Sequence, residues 1–453
     1  MAAFFHRLSL ERLTRPVSIA PLVTFRITFG LLMFASMVRF WWNGWISALY
    51  VSPKFHFTYW GFEWVKPLGS IGMHLLFASV ALAALLIALG FFYRVACVWF
   101  FAGFVYIELL DVTTYLNHYY FVSLIAFLLI WLPAGRSYAI DVLIRPKWRK
   151  IQAPFISIGI LRFQIAIVYI FAGLAKVNAD WLLKAQPMAI WLPAKSHLPI
   201  IGEYMYHRYT AYIFSWFGAV YDLFIVFFLL SGKTRPVAYA VVIIFHVCTA
   251  LFFPAIGMFP YIMMTCSLIF FSGGFHENLL FLFPGYSIRE PVLSARESIY
   301  SYRSAKLISV IAGCYIMVQI LIPFRYLLHP GHLFWHEAGY RFSWRVMLME
   351  KSGIAYFTVK PKAGQGSFEV NNTEFLTPLQ EKMMSTQPDL ILQYAHFLAN
   401  EYKSRGVEEP VVTGEVYVSL NGQHSALFID PSVDLASQEY TWKHYAWVLP
   451  YKP

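Results

Sequence analysis

Arg162–Trp181 reads RFQIAIVYIFAGLAKVNADW, an apolar run long enough to cross a bilayer that stops at Lys176, with Asp180 four residues on. A lysine at the edge of hydrocarbon sits where burial disfavours its charged form, and an uncharged amine is a general base. Lys and Arg near helix ends also snorkel to the headgroups with no chemical duty, and spacing alone leaves both readings open. Direct pairing with Asp180 would favour the ammonium, so the base reading has Asp180 holding the loop or a neighbouring donor instead.

Outward from this stretch the composition is uniform in character: 59% hydrophobic, 19% aromatic and 13% charged residues, with mean hydropathy +0.56. These values exclude an ordinary soluble enzyme and predict a polytopic α-helical membrane protein. Spans are expected near Ile19–Phe40, Ser70–Phe92, Val95–Leu110, Tyr119–Leu132, Ile156–Ala175, Ala211–Leu230, Pro236–Phe253, Pro260–Phe271 and Lys306–Pro323, about nine transmembrane helices. The basic stretch His6–Arg15 runs into the first span without a small-residue cleavage site, which predicts an uncleaved anchor.

With the N-terminus cytoplasmic, the inner segments hold fifteen Lys and Arg, from Arg7 through Arg94, Arg136 and Arg289 to Lys306, against six outside: Lys54, Lys66, Lys176, Lys184, Lys195 and Arg208. The imbalance predicts an N-in, C-out topology, and the net charge of +11 is read as a topology signal facing anionic lipid, with no nucleic-acid partner. Cys97, Cys248, Cys266 and Cys314 lie in apolar segments without metal-ligand spacing, so no metal is expected.

After Pro323 the long apolar runs end, which divides the chain into a transmembrane helical domain, 1–323, and an exoplasmic mixed α/β domain, 324–453. Thr377-Pro378-Leu379-Gln380 reads as a capping box with Pro at the first helical position, and a second helix is expected from Pro388 to Ser404. Gly414–Leu420 alternates in period two, Asn421-Gly422 supplies a tight turn, and Ser425–Ile429 returns.

Among polar residues in costly places, Asp111, Asn117 and His118 fall in a short connection where polarity is ordinary. His246, inside VVIIFHVCTALFF, needs a hydrogen-bond partner, and an intramembrane imidazole carries both a structural and a functional reading. Arg26, Arg39, Arg162, Glu108 and Asp222 can be satisfied by neighbouring helices or headgroups and receive no function.

Five ordered blocks, DVTTYLNHYYFVSLIAFLLI (111–130), IVYIFAGLAKVNADW (167–181), FHVCTALFFPAIGMFPYIMM (245–264), FWHEAGYRFSWRVMLMEKSG (334–353) and YVSLNGQHSALFIDPSVDL (417–435), make the chain resemble the vitamin K-dependent gamma-carboxylases and their bacterial relatives, the horizontally transferred transmembrane domain proteins. The resemblance implies an enzyme that couples oxidation of vitamin K hydroquinone (reduced phylloquinone or menaquinone) by O2 to its epoxide with carboxylation of peptidyl glutamate by CO2. It implies Lys176 as the base that deprotonates the hydroquinone, His118 as its support, Asn117 beside the quinone, and His246 near the same site. Tyr340 and Lys351 match positions near the substrate glutamate. Ser432 stands where the animal members carry an arginine that helps hold the substrate carboxylate, and those members are longer at the C-terminus. The partners implied are membrane lipid, quinone and a glutamate-containing peptide or protein; the location is a bacterial inner membrane or the endoplasmic reticulum membrane. Two other readings stand: a hydroquinone epoxidase that does not carboxylate, and a non-catalytic quinone- or lipid-binding membrane protein or transporter, for which repeat symmetry would be expected and is not seen.

Overall fold

A computed structural model describes residues 11–281, 302–363, 366–442 and 445–452. Nine helices lie in the apolar runs read from the sequence, α1 Ala20–Trp42, α2 Gly69–Leu89, α3 Tyr93–Leu109, α4 Asn117–Trp131, α5 Phe155–Ala175, α6 Arg208–Leu230, α7 Arg235–Phe252, α8 Phe259–Ser267 and α9 Tyr302–Leu321, and a further helix, Gly273–Phe281, follows α8. Long uncharged stretches leave the backbone no partner in lipid but itself, and helices are the result. Where α1 and α2 cross, a Cβ on Gly30 would lie 2.6 Å from Ala88 N, so the backbones meet directly, a packing mode suited to helices in lipid.

Of the nine membrane spans expected, six are matched among the described residues by helices of spanning length and apolarity. Six helices are long and apolar enough to cross: Ala20–Trp42, Gly69–Leu89, Phe155–Ala175, Arg208–Leu230, Arg235–Phe252 and Arg303–Leu328. The shortfall is physical length. Phe259–Phe270 and Asn117–Trp131 are shorter apolar helices, and α3, 17 residues, carries Arg94 and Glu108. At ~1.5 Å per residue these reach roughly 18 to 25 Å, short of a hydrocarbon core about 30 Å thick.

The connections after α1, α3, α5 and α7 gather at one end of the bundle, where the C-terminal portion docks. At the other end Pro16–Ser18 (β1) pairs antiparallel with Gln152–Pro154 (β2), among the described cations Arg94, Arg136 and Arg145. Arg7, Arg289 and Arg296 of the charge pattern, and His6, lie outside the described residues.

The C-terminal portion is a four-stranded antiparallel sheet in the order β4-β3-β5-β6, formed by β3 Lys351–Pro361, β4 Phe368–Glu369, β5 Pro410–Leu420 and β6 Ala426–Leu427. In β5, Val412, Gly414, Val416, Val418 and Leu420 are buried and the residues between them are not, the alternation the sequence displays. These side chains face α11, Pro388–Ser404, whose Leu390, Ile391, Tyr394, Ala395 and Leu398 are buried in the same core. Helix α10, Pro378–Met384, opens with the capping box of Thr377 and Gln380.

Polar contacts fasten this unit to the bundle. Gln380 donates to Phe55 O at 2.7 Å and Asp111 Oδ2 at 2.8 Å, Gln393 exchanges two 2.9 Å bonds with the Thr58 backbone, and Asn421 at the β5 turn donates to Asp180 Oδ2 at 2.9 Å. Asp180 also pairs with Lys184 at 2.9 Å. Burial acts to raise its carboxyl, but the bonds from Lys184 and Asn421 outweigh it and hold the group below the usual carboxylate range.

Candidate active site

Between α5, α6, α7 and the connection into α8 lies a cavity of ≈ 220 Å³, closed on the side of the C-terminal portion by Val346 and Met347. Its wall is aliphatic and aromatic, with Phe214, Phe217, Phe245, Phe252, Phe253 and Phe259 around a few polar groups.

The first polar group is Lys176, which follows the last residue of α5. A Cβ on Gly173 would fall 2.6 Å from Leu223 N, so α5 and α6 approach backbone to backbone. That approach delivers the Lys176 side chain to Asp222, the residue before Leu223. Nζ donates to Asp222 Oδ2 at 2.6 Å, with both side chains 8% exposed, and more weakly to Ala172 O at 3.3 Å. It also lies 5.3 Å from the Trp181 ring centre, and Trp181 is clamped by its own Nε1 donating to Ser215 O at 2.7 Å. A buried ammonium needs a counter-charge, and here α6 supplies it.

His246 on α7 is the second group. Its Nε2 lies 3.0 Å from Tyr169 Oη, which reaches Ser267 Oγ at 3.4 Å. Nδ1 is buried without a hydrogen-bond partner among the described residues. One ring nitrogen is thus fixed by the helices and the other is left to whatever enters.

His118 does not line the cavity. It is buried near the start of α4 with Nε2 unpartnered, its ring 6.1 Å from that of Phe259 and close against Gly257. Since Phe259 is a cavity wall and packs 5.8 Å from His246, the two imidazoles flank one aromatic ring. Asn117 donates to Arg345 O at 2.7 Å and accepts from Tyr115 Oη at 3.1 Å. Its amide therefore holds the segment whose next two residues, Val346 and Met347, close the cavity.

Residues 14–274 match the family model described as the HTTM domain, and residues 304–453 match the model of the vitamin K-dependent gamma-carboxylase lumenal domain. The chain belongs to the vitamin K-dependent gamma-carboxylase family. No solved structure matches it.

In this family member the two residues matched to the glutamate side stand apart from the cavity wall. Lys351 opens β3 with Nζ donating to Trp335 O at 2.5 Å, Thr386 O at 2.6 Å and Glu337 Oε1 at 2.8 Å. Its three protons are all engaged inside the chain, and its side chain is 4% exposed. Burial lowers its proton affinity, and the Glu337 carboxylate opposes this only in part. Tyr340 is half-buried, and burial raises its hydroxyl above the usual range, with the Glu337 charge adding to the effect. Ser432 is exposed and turned onto Asp430 Oδ1 at 2.6 Å.

Sequence reading missed Asp222 and Tyr169. The signal for Asp222 was present: it is the lone acid in the apolar run 211–230, and an acid in such a run requires a cation from a neighbouring helix. Nothing in the sequence names Lys176 as that cation, because the pairing depends on the Gly173 contact.

Proposed function

We propose that this chain is a vitamin K-dependent carboxylase-type enzyme in which the cavity between α5, α6 and α7 takes the hydroquinone and the Lys176–Asp222 pair accepts its proton. The observation that carries the reading is this pair, buried and ion-paired, on the wall of an otherwise apolar and aromatic cavity.

A net-neutral lysine–carboxylate pair holds its protons either as ammonium and carboxylate or as amine and carboxylic acid. Accepting one more gives ammonium beside carboxylic acid, net positive, facing the hydroquinone anion just formed. The charge created on the protein thus stabilises the charge created on the substrate, and the low-dielectric wall strengthens that attraction. This differs from the isolated neutral amine expected from the sequence: the base is a dyad. His246 Nδ1, unpartnered among the described residues, is a further nitrogen able to bond a quinone oxygen, while His118 stands behind Phe259 and supports that wall. Asn117 acts through the Arg345 carbonyl, holding the cavity's cap.

The wall suits a fused aromatic ring with an isoprenoid tail. Ile213, Phe217 and Ile244 line the cavity and are also exposed on the outer surface of the bundle, at 66%, 52% and 62%. An apolar substrate therefore has a lateral way in between α6 and α7 from the lipid phase. In the proposed sequence the hydroquinone anion is oxidised by O2 and leaves as its epoxide. An alkoxide on that path takes the γ-proton of a peptidyl glutamate, and the carbanion captures CO2. Exclusion of water protects both bases.

The division at Pro323, the placement of the C-terminal unit on the exoplasmic side, and Tyr340 and Lys351 as glutamate contacts belong to this proposal. The gathering of cations at the end opposite that unit supports the orientation. A second reading, epoxidation without carboxylation, is favoured by one observation: Lys351 has no free proton for a substrate carboxylate unless Glu337 is displaced. Incubating purified protein with reduced vitamin K, O2, bicarbonate and a glutamate peptide, and measuring epoxide and carboxylated peptide separately, decides between them. Both products support the first reading, epoxide alone the second, and neither product refutes both.

A further inference from the structure

At the end of the bundle away from the C-terminal unit lies a second cavity, of ≈ 290 Å³, lined by Phe92, Arg94, Arg136, Asp141, Arg145 and Trp148 among others. Nothing in the proposed reaction uses it. Three arginines converge there with one carboxylate, and the carboxylate is already spent: Asp141 accepts from the backbone N–H groups of Phe92 and Tyr93, each at 2.9 Å, at the first turn of α3. None of the three arginines has an ion-pair partner among the described residues.

Two of them are held in place by an aromatic ring. The guanidinium of Arg145 lies 4.5 Å and that of Arg136 5.3 Å from the Trp148 ring centre, an arrangement that uses their faces and leaves their N–H edges for a ligand. Arg94 spends one nitrogen on the Ile130 carbonyl at the end of α4. A fourth cation stands behind the wall. Arg26 is wholly buried, touches the Gly90 position, and has Nε and Nη1 without partners among the described residues. The lip is apolar: Phe92 and Ile144 are 60% and 61% exposed beside the arginines.

Preorganised, unpaired guanidinium forks ask for an oxyanion with several acceptor oxygens, and an exposed apolar lip on the surface of a membrane bundle asks for acyl chains beside it. We propose that this cavity binds the phosphate headgroup of an anionic phospholipid. The phosphodiester would face Arg136 and Arg145, while its chains lie against Phe92 and Ile144. The inference is independent of the quinone chemistry and of which side of the membrane this end faces.

The test uses the full-length protein reconstituted in mixed phosphatidylglycerol and phosphatidylcholine vesicles, extracted into detergent, with retained lipids counted by native mass spectrometry. Wild type is expected to retain phosphatidylglycerol over phosphatidylcholine. Each cation near a membrane surface contributes about fivefold, so Arg136→Gln/Arg145→Gln should weaken retention roughly 25-fold. Arg145→Gln alone, a change at an exposed side chain, should weaken it about fivefold and serves if the double variant folds poorly. Lys147→Gln/Lys150→Gln removes the same charge from the same loop outside the cavity and should leave retention unchanged. Equal loss in that control means diffuse attraction and overturns the site. So does an absence of phosphatidylglycerol preference. Inorganic phosphate that stabilises lipid-free protein as well as phosphatidylglycerol does would assign the cavity to a free anion and overturn the lipid.

Discussion

Replacing Lys176 with Met removes the amine and keeps most of the stem's volume, and the consequences for folding and for chemistry separate cleanly. At 2.6 Å and an effective dielectric of about 20, two unit charges attract by roughly 6 kcal/mol. Desolvating each ion costs several kcal/mol, so the intact pair contributes little net stability. Breaking it is another matter. Asp222 left alone in the wall of an apolar cavity costs about 3 to 5 kcal/mol, or must take up a proton. Lys176→Met is therefore expected to lower the melting temperature of the detergent-solubilised protein, and Lys176→Met/Asp222→Asn, with no charge left to bury, should recover most of that loss. Epoxide formation should behave in the opposite way: down by about 10² to 10⁴ in the single variant, as for loss of a positioned base, and no better in the double. Thermal melts followed by tryptophan fluorescence and epoxide quantified by chromatography give the two readouts on the same samples. A double variant that melts no higher than the single refutes the ion-pair energetics. Near-normal epoxide from Lys176→Met would leave the residue a structural ion-pair partner of Asp222.

Gly173→Ala pushes a methyl group toward Leu223 N at 2.6 Å; overpacking of this kind costs about 1 to 3 kcal/mol, and by prising α5 from α6 it should reduce epoxidation although neither catalytic side chain is changed. Unaltered turnover in a folded Gly173→Ala protein would show that the close approach does not set the dyad. Lys351→Met strands Glu337 and should destabilise the C-terminal unit by about 3 to 5 kcal/mol, visible as early proteolysis of that unit, and should also raise the glutamate-peptide concentration required; destabilisation with an unchanged peptide requirement would remove Lys351 from the glutamate contacts. A single cysteine at His424, in a protein whose four native cysteines are replaced, should react with an impermeant maleimide in intact cells or spheroplasts, and labelling only after lysis would reverse the orientation.

What the sequence revealed follows from the range of the interactions involved. The capping box at Thr377 and the helix Pro388–Ser404 are local signals, and both stand in the structure where they were read. The apolar runs were legible for the same reason, but run length in sequence is not helix length in space: α8 gives way to a tighter turn at Leu268–Phe270. Lys176 and His246 were visible because ionisable groups in apolar runs are rare. Their partners were not, since Asp222 and Tyr169 are chosen by helix crossings that no single segment encodes. Lys351 failed to look buried because its three acceptors come from Trp335, Glu337 and Thr386, two of them backbone carbonyls, which sequence patterns do not display.

The placement of Asn117 bears on how two halves of a reaction can be kept in step. Its side chain binds the Arg345 carbonyl, and the chain continues through Val346 and Met347 over the cavity to Glu350, which accepts from Trp191 Nε1 at 2.5 Å, and to Lys351 at the head of β3. One short segment thus runs from the α4 terminus, over the mouth of the proposed quinone site, to the residue matched to the glutamate side. Any movement that opens the cap must stretch the Asn117 bond, the Trp191 bond or the Lys351 cluster. A strong base generated in the cavity is useful only if the acidic substrate is the first proton source it meets. If the proposed reaction holds, a segment anchored at one end beside the imidazole of His118 and at the other by Lys351 would link the quinone cavity to the side matched to the glutamate.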